Sequence, residues 1–200
     1  MITPKIEALH ILIQWLNSRT SNIILPKLDL DKSSLGSNAC LSGFIDSDGN
    51  FYSQFIRNSK GICNNIKYYM RITQRQTYHK IDLVFSNSYF YIMDEIKKFL
   101  LVSNITIINR DKINYIESAY EIRTVKRESC SILIRYLNNY PLFSSKHLDF
   151  LAWSQINEIN TKKQYKELKY SDLLFTLKNS MNDKRVEFNW NHLNYFYFFS

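Results

Sequence analysis

Cysteine, proline and glycine are scarce in this 200-residue sequence, and long apolar runs are missing. The three cysteines, Cys40, Cys63 and Cys130, are too far apart for the paired spacing of a zinc site, and we interpret them as reduced thiols. No apolar run approaches the roughly 20 residues of a membrane span, and the N-terminus lacks the charged and then apolar layout of a secretory signal. We therefore expect a soluble, non-secreted protein with no membrane partner.

Positive charge and aromatic residues, in contrast, are abundant. The 26 Lys and Arg residues exceed the 18 Asp and Glu residues, which gives a net charge of +8 and favours a polyanionic partner such as nucleic acid. The 14 Tyr and 13 Phe residues accompany many Ile, Asn and Lys, amino acids whose codons are rich in A and T. This composition is typical of an AT-rich genome and points towards an organelle.

Residue periodicity divides the chain into helices and hairpins. Helical spacing of apolar residues predicts an amphipathic helix over 3–16, and residues 20–37 resemble a linker. A short helix follows Ser37 or Asn38 and ends at Gly49, a residue tolerant of left-handed geometry. Residues 50–58 and 66–74 are rich in Tyr, Phe and Ile and predict an antiparallel hairpin.

The remaining segments repeat this order and then continue as helices. A helix is predicted over 88–101, a second hairpin over 104–110 and 115–125, and further helices over 128–139, 144–159 and 168–181. No internal repeat is visible. Because hairpins give antiparallel strands, the order predicts an α+β fold in which an antiparallel sheet is backed by helices.

One nine-residue segment carries most of the functional information. Residues 41–49, LSGFIDSDG, resemble the LAGLIDADG motif at every position, with Ser for Ala twice and Phe for Leu, and they precede a tyrosine-rich hairpin. The sequence therefore resembles the LAGLIDADG homing endonuclease family. The resemblance implies an αββαββα unit with a four-stranded antiparallel sheet. It also implies a site-specific double-strand DNA endonuclease that hydrolyses phosphodiester bonds with Mg²⁺.

Within the motif, Gly43 and Ser47 are four residues apart and share one face of a helix. Small side chains there would let a second helix backbone approach closely. In the family, two such helices pack side by side, and each delivers a carboxylate from its C-terminal end to a shared site. We therefore assign Gly43 and Ser47 to a helix–helix interface.

The same resemblance assigns the candidate catalytic residues. Asp48 and the carbonyl of Gly49 match the metal-binding positions, and hard Mg²⁺ prefers such oxygen ligands, while Asp46 matches a structural position. Gln74 matches the terminal glutamine of the family's second strand, near the catalytic water. Lys146 matches a basic residue close to the cleaved phosphates, where a cation stabilises developing charge. An exposed carboxylate, a strand-end amide and a surface lysine are the ordinary alternatives.

The sheet is expected to recognise DNA, because a two-stranded ribbon fits the major groove. Alternate residues of a strand share a face, so the first strand is expected to bury Phe51 and Phe55 under the helices. The residues expected to face DNA are Tyr52, Gln54, Ile56, Asn58, Lys67, Tyr69, Arg71 and Arg123. A slip of one residue in register would exchange this set for its neighbours.

The resemblance is to the second half of two-motif members encoded in fungal mitochondrial introns. Residues 1–19 resemble the helix that ends the first repeat, residues 20–37 the linker, residues 38–164 the LAGLIDADG domain, and residues 165–200 a C-terminal helix with an aromatic tail. Asp48 alone leaves a site built from one carboxylate per repeat incomplete. A second half is therefore expected, from a second copy of this chain or from a separate first-repeat chain.

Three functions remain open from the sequence. The first is a mitochondrial, intron-encoded DNA endonuclease that spreads its intron. The second is an RNA maturase, in which the same basic protein binds its host intron RNA and assists splicing without chemistry. The third is a truncated relic without function.

Overall fold

The computed structural model of the protein describes residues 5–20, 24–77 and 88–196. Its helices are α1 (Ile6–Asn17), α2 (Cys40–Asp48), α3 (Phe90–Phe99), α4 (Arg127–Asn139), α5 (Lys146–Thr161) and α6 (Leu168–Asn179). Its strands are β1 (Gly49–Arg57), β2 (Cys63–Arg75), β3 (Thr106–Asp111) and β4 (Ile116–Arg123). Short 3₁₀ turns lie at Leu35–Ser37, Gln164–Lys166, Asn182–Lys184 and Asn191–Phe196. The order from α2 to α4 is the predicted αββαββα unit.

The four strands form one antiparallel sheet in the order β1-β2-β4-β3. Each hairpin supplies one edge strand and one central strand, and β2 pairs with β4 in the middle, from Arg71 opposite Arg123 to Arg75 opposite Ala119. This arrangement confirms the predicted α+β class. The alternation of buried and exposed residues along β1 shows that one sheet face is covered and the other is open.

The core lies between the covered sheet face and the helices. Phe51 of β1 is 1% exposed, and its ring centroid lies 5.5 Å from that of the fully buried Trp153 of α5. Phe55 is also buried, so both phenylalanines lie under the helices as expected. Burial of each such ring contributes roughly 1.5–3 kcal/mol of transfer free energy. The core therefore fixes which face of the sheet stays open.

The motif helix α2 joins this core directly to β1. Its Leu41 and Ile45 are buried, and the side-chain oxygen of Asn38 accepts a hydrogen bond from the Cys40 amide at 2.9 Å. The helix ends at Gly49 as predicted, but Gly49 does not use its tolerance of left-handed geometry, because it has φ −81° and is the first residue of β1. A Cβ at Gly49 would lie 2.6 Å from the Ile45 carbonyl oxygen. Glycine is needed here for close packing of the helix end.

Elsewhere the predicted boundaries differ only in detail. The segment expected to be a linker contains the turn Leu35–Ser37, whose Leu35 packs into the core. Helix α6 ends at Asn179, two residues before the predicted end. The first residues of the N-terminal helix prediction, 3 and 4, lie outside the described residues. No helix in the described part of the chain has the length and apolar character needed to cross a bilayer.

Candidate active site and open sheet face

Asp48 is exposed at the C-terminal end of α2, where the Ser47 hydroxyl donates to its Oδ2 at 3.1 Å. It lines a cavity of about 380 Å³ that also includes Gln74. The fold therefore brings together two of the three predicted catalytic residues. The other lining residues are Thr73, Arg75, Arg110, Lys112, Glu117 and Ala119.

Three basic side chains of this lining, Arg75, Arg110 and Lys112, were missed by the sequence reasoning. Arg75 directly follows Gln74, so its position next to a predicted site residue was a usable signal. Arg110 and Lys112 come from the second hairpin, and the pairing of β4 with both β3 and β2 brings them to the cavity. Opposite charges thus meet here, with the carboxylates of Asp48 and Glu117 beside three cations from the sheet and its second hairpin.

Lys146, the third predicted catalytic residue, lies at the same helix end but is not among the residues that line the cavity. Its Nζ donates to the carbonyl oxygens of Ile45 at 3.2 Å, Asp46 at 2.6 Å and Ser47 at 3.3 Å. Loss of water around the half-buried ammonium lowers the pKa of Lys146, and the nearby carboxylates of Asp46 and Asp48 oppose that shift. The contacts show Lys146 capping the last turn of α2.

Asp46 is bonded to the backbone ahead of α5. Its Oδ2 accepts from the Phe143 amide at 2.6 Å, and its Oδ1 accepts from the Ser144 hydroxyl at 2.6 Å and the Ser144 amide at 3.3 Å. These bonds tie the motif helix to the loop between α4 and α5. Asp46 therefore stabilises the fold, as the motif comparison implied.

The outer face of α2 is uncovered in the described structure. Gly43 and Ser47 are exposed, and a Cβ added at Gly43 would meet no atom within 4 Å. The opposite face of the helix buries Leu41, Ser42 and Ile45. The two residues assigned to a helix–helix interface thus occupy the face that leaves room for another backbone.

The predicted recognition residues lie on the open face of the sheet. In β1 and β2, Tyr52 pairs with Tyr69, Gln54 pairs with Lys67, and Arg71 pairs with Asn50. Arg123 of β4 pairs with Arg71 and therefore lies on the same face. The residues of the predicted set that share this face are Tyr52, Gln54, Ile56, Lys67, Tyr69, Arg71 and Arg123.

The strand position predicted for Asn58 is wrong. Strand β1 ends at Arg57, and the register with β2 shifts between Ile56 and Arg57. The Asn58 side-chain oxygen accepts from the amides of Lys60 at 2.9 Å and Ile62 at 3.0 Å. Asn58 therefore builds the hairpin turn, because simple alternation does not continue past a register shift.

Tyr69 is on the expected face but is only 6% exposed. Its ring stacks on Tyr52 with centroids 4.7 Å apart, and the guanidinium carbon of Arg123 lies 5.0 Å from the Tyr69 ring centre. Tyr69 therefore packs against Tyr52 and Arg123 and exposes little of its own side chain. Two acidic residues on this face, Glu117 and Glu121, were also missed, because buried charge cannot be recognised without its partners.

The carboxylate of Asp48 is a suitable oxygen ligand for a divalent metal ion. The described residues contain no group of three or more His, Cys, Asp or Glu side chains placed to hold such an ion. Any divalent ion bound by these residues at this helix end would rest on Asp48 with the Gly49 carbonyl.

Comparison with known proteins identifies the family. The profile described as LAGLIDADG endonuclease matches residues 41–157. The chain is 32% identical to the intron-encoded DNA endonuclease aI3 of Saccharomyces cerevisiae, over 96% of this chain and 52% of that protein. It is 34% identical to the probable intron-encoded DNA endonuclease aI1 of Mycosarcoma maydis, over 50% of this chain and 78% of that protein. The chain thus spans about half the length of the yeast relative.

Solved structures show the same fold. The meganuclease I-CpaMI bound to uncleaved DNA aligns with a TM-score of 0.54 and 21% identity, covering 78% of this chain and 46% of that chain. The homing endonuclease I-TnaI aligns with a TM-score of 0.52 and 18% identity, covering 78% of this chain and 91% of that chain. The family match, the yeast relative and the shared fold agree: the chain belongs to the LAGLIDADG endonuclease family.

Proposed function

We propose that this chain is one half of a site-specific double-strand DNA endonuclease that hydrolyses phosphodiester bonds with Mg²⁺. The observation that carries the proposal is the cavity at the end of α2, where Asp48 lies with Gln74 and three basic side chains. A carboxylate can bind the metal ion, and the cations can bind the phosphates on either side of the cut. The name of the yeast relative, a DNA endonuclease, supports the same activity.

The chemistry of the donors fits Mg²⁺. When bound, the ion would neutralise the scissile phosphate and activate water. Asp48 and the Gly49 carbonyl would hold it, and Gln74, which lines the same cavity, would orient water. Lys146 holds the helix end that presents Asp48, and its ammonium adds positive charge behind the site.

The second half would dock on the uncovered face of α2 through Gly43 and Ser47. A second motif helix there would bring a second carboxylate beside Asp48 and complete the metal site. A second copy of this chain or a separate first-repeat chain can fill this role. The residues on the open sheet face would then contact duplex DNA, with Arg and Gln suited to base edges and Lys to phosphate.

The proposed setting is a mitochondrion, in which the protein acts on copies of a gene that lack its intron. The support is the intron-encoded character of both named relatives and the composition rich in AT-coded residues. A role in splicing would use intron RNA as the partner, and the test below separates the two.

The test measures binding and cleavage on one sample. The full chain, alone and with an added first-repeat chain, is incubated with a library of duplex sites and Mg²⁺, beside Asp48→Asn, and gel shifts compare duplex DNA with intron RNA. We expect duplex binding by both proteins and cleavage by the wild type alone. Preferential binding of intron RNA without cleavage would contradict the proposal and favour the splicing role. Equal weak binding to both, lost at modest salt, would indicate charge alone.

A further inference from the structure

The open sheet face carries two buried carboxylates among its cations. Glu121 of β4 is 3% exposed and Glu117 is 8% exposed, although both point to the face that lacks covering helices. Acidic residues are almost never this buried unless they are paired. Each must therefore be held by its neighbours on the sheet.

Glu121 contacts two arginines and a threonine. One carboxylate oxygen lies 2.6 Å from the Arg123 guanidinium, and the other lies 3.9 Å from Nε of Arg71 and 3.3 Å from the Thr73 hydroxyl. Glu117 repeats the pattern, 3.0 Å from Arg75 and 3.5 Å from Arg110. Four arginines are thus gathered around two carboxylates.

The arginines remain accessible while the carboxylates do not. The side chains of Arg71 and Arg123 are 37% and 41% exposed, whereas that of Glu121 is 3% exposed. Arg123 is held a second time by the ring of Tyr69, which stacks on Tyr52. A guanidinium fixed at two points loses less conformational entropy when it binds a planar acceptor.

A buried carboxylate on a face that meets DNA also has a cost. It offsets positive charge, and it therefore reduces attraction to phosphate at any sequence. A surface that only attracted phosphate would not carry this carboxylate. The arrangement suits a surface that binds DNA of arbitrary sequence less tightly but holds its arginines in a fixed geometry. In that geometry only a matching base edge satisfies the guanidinium.

We infer that Glu121 is a positioning residue for sequence recognition, which orients Arg71 and Arg123 and suppresses binding to arbitrary duplex DNA. This inference rests on the proposed function of the sheet face. Glu117 holds Arg75 and Arg110 in the same way, nearer the cavity at Asp48.

The experiment selects duplexes from a random library with the full chain, and then measures binding to the selected and to scrambled duplexes over a range of salt. We expect Glu121→Gln to bind scrambled DNA about threefold more tightly, with a log–log salt slope steeper by about one, because one more cation reaches phosphate. We also expect discrimination against scrambled DNA to fall at least about fivefold. Loss of folding alone would weaken both kinds of binding.

Two further variants separate charge from geometry. Glu158→Gln also removes one negative charge, from the exposed ion pair between Glu158 of α5 and Lys162. We expect unchanged discrimination and salt slope. Arg123→Lys keeps the charge at an exposed position but loses the planar fork. It should keep the salt slope and lose discrimination, which tests the inference even where Glu121→Gln does not fold.

The outcomes are distinguishable. A wild-type chain that enriches no duplex sequence overturns the proposed function and this inference together. A wild type that enriches a sequence, with discrimination and salt slope unchanged in Glu121→Gln, overturns the inference alone. Discrimination by Arg123→Lys equal to that of the wild type also overturns the inference alone.

Discussion

The two faces of the motif helix α2 differ in their surroundings although their residues are interleaved within one nine-residue segment. One face buries Leu41 and Ile45, and the neighbouring Asp46 accepts hydrogen bonds from three donor groups of Phe143 and Ser144. The other face exposes Gly43 and Ser47 and ends in the exposed Asp48. The difference separates a face that stabilises the fold of this chain from a face to which the proposed function assigns the metal ligand and the contact with the second half.

The largest expected effect is on cleavage by Asp48→Asn. Loss of a metal ligand should exceed the 10–100-fold effect of an outer-shell change, so we expect cleavage to fall by more than about 100-fold. Stability should change by no more than about 0.5 kcal/mol, because Asp48 is exposed. Cleavage of a duplex library and urea unfolding measure the two quantities. If Asp48→Asn cleaved DNA as fast as the wild type, Asp48 would not be an active-site residue.

The matched change on the other face is Asp46→Ala. It removes the acceptor of three donor groups in the loop ahead of α5, and we expect the free energy of unfolding to fall by about 2–4 kcal/mol. Urea unfolding of Asp46→Ala beside Asp48→Ala measures the contrast. Equal stability of the two variants would show that the two aspartates do not differ as the hydrogen bonds indicate.

Gly43→Leu sharpens the comparison on the uncovered face. A Cβ added at Gly43 would meet no atom of the described residues within 4 Å, so we expect the fold to keep or gain stability through better helix propensity. Association with the second half should weaken about 10–100-fold, because a bulky side chain overpacks a close helix contact. Light scattering over a concentration series measures the association. Unchanged association would place the partner elsewhere.

The smallest effect concerns pH on the packed side. Loss of water around His147 on α5, together with the neighbouring His192, lowers the pKa of His147 to about 4. The folded state therefore favours the neutral ring. This contribution to stability is complete above pH 6.5 and is lost as pH falls towards 4.

His147→Phe removes that titration. Urea unfolding at pH 7 and pH 4.5 should show a smaller acid loss of stability for His147→Phe than for the wild type. The difference between the two proteins is the informative quantity, because it cancels the titration of the other groups. Carboxylates such as Asp94, whose pKa is lowered by its bonds to Lys97 and Lys98, lose their stabilising contribution only below pH 3.8. An identical acid loss would show that His147 does not contribute.

Local patterns predicted most of the architecture. The two-residue period of β1 predicted that Tyr52 and Gln54 lie on one face of the sheet and Phe51 and Phe55 on the other, because residues of a half-buried strand alternate between the faces. The same rule failed at Asn58, since a register shift breaks the period before it. Gly49 was correctly placed at the helix end, but its backbone is extended and its small size is what the packing requires.

Features that depend on distant residues were out of reach. Lys146 bonds to helix carbonyls about 100 positions away in the chain, and no local pattern encodes that contact. Glu121 is buried by arginines from β2 and β4, which meet only when the sheet forms. The sequence motif identified the carboxylate of the site, whereas the cations around it depend on strand pairing.

The most direct measurement of the central claim is the mass of the complex that Asp48→Asn forms on a duplex selected by the wild type. The open face of α2 predicts two LAGLIDADG units on each duplex, either two copies of this chain or this chain with an added first-repeat chain. One unit on each duplex, with cleavage by the wild type under the same conditions, would contradict the account.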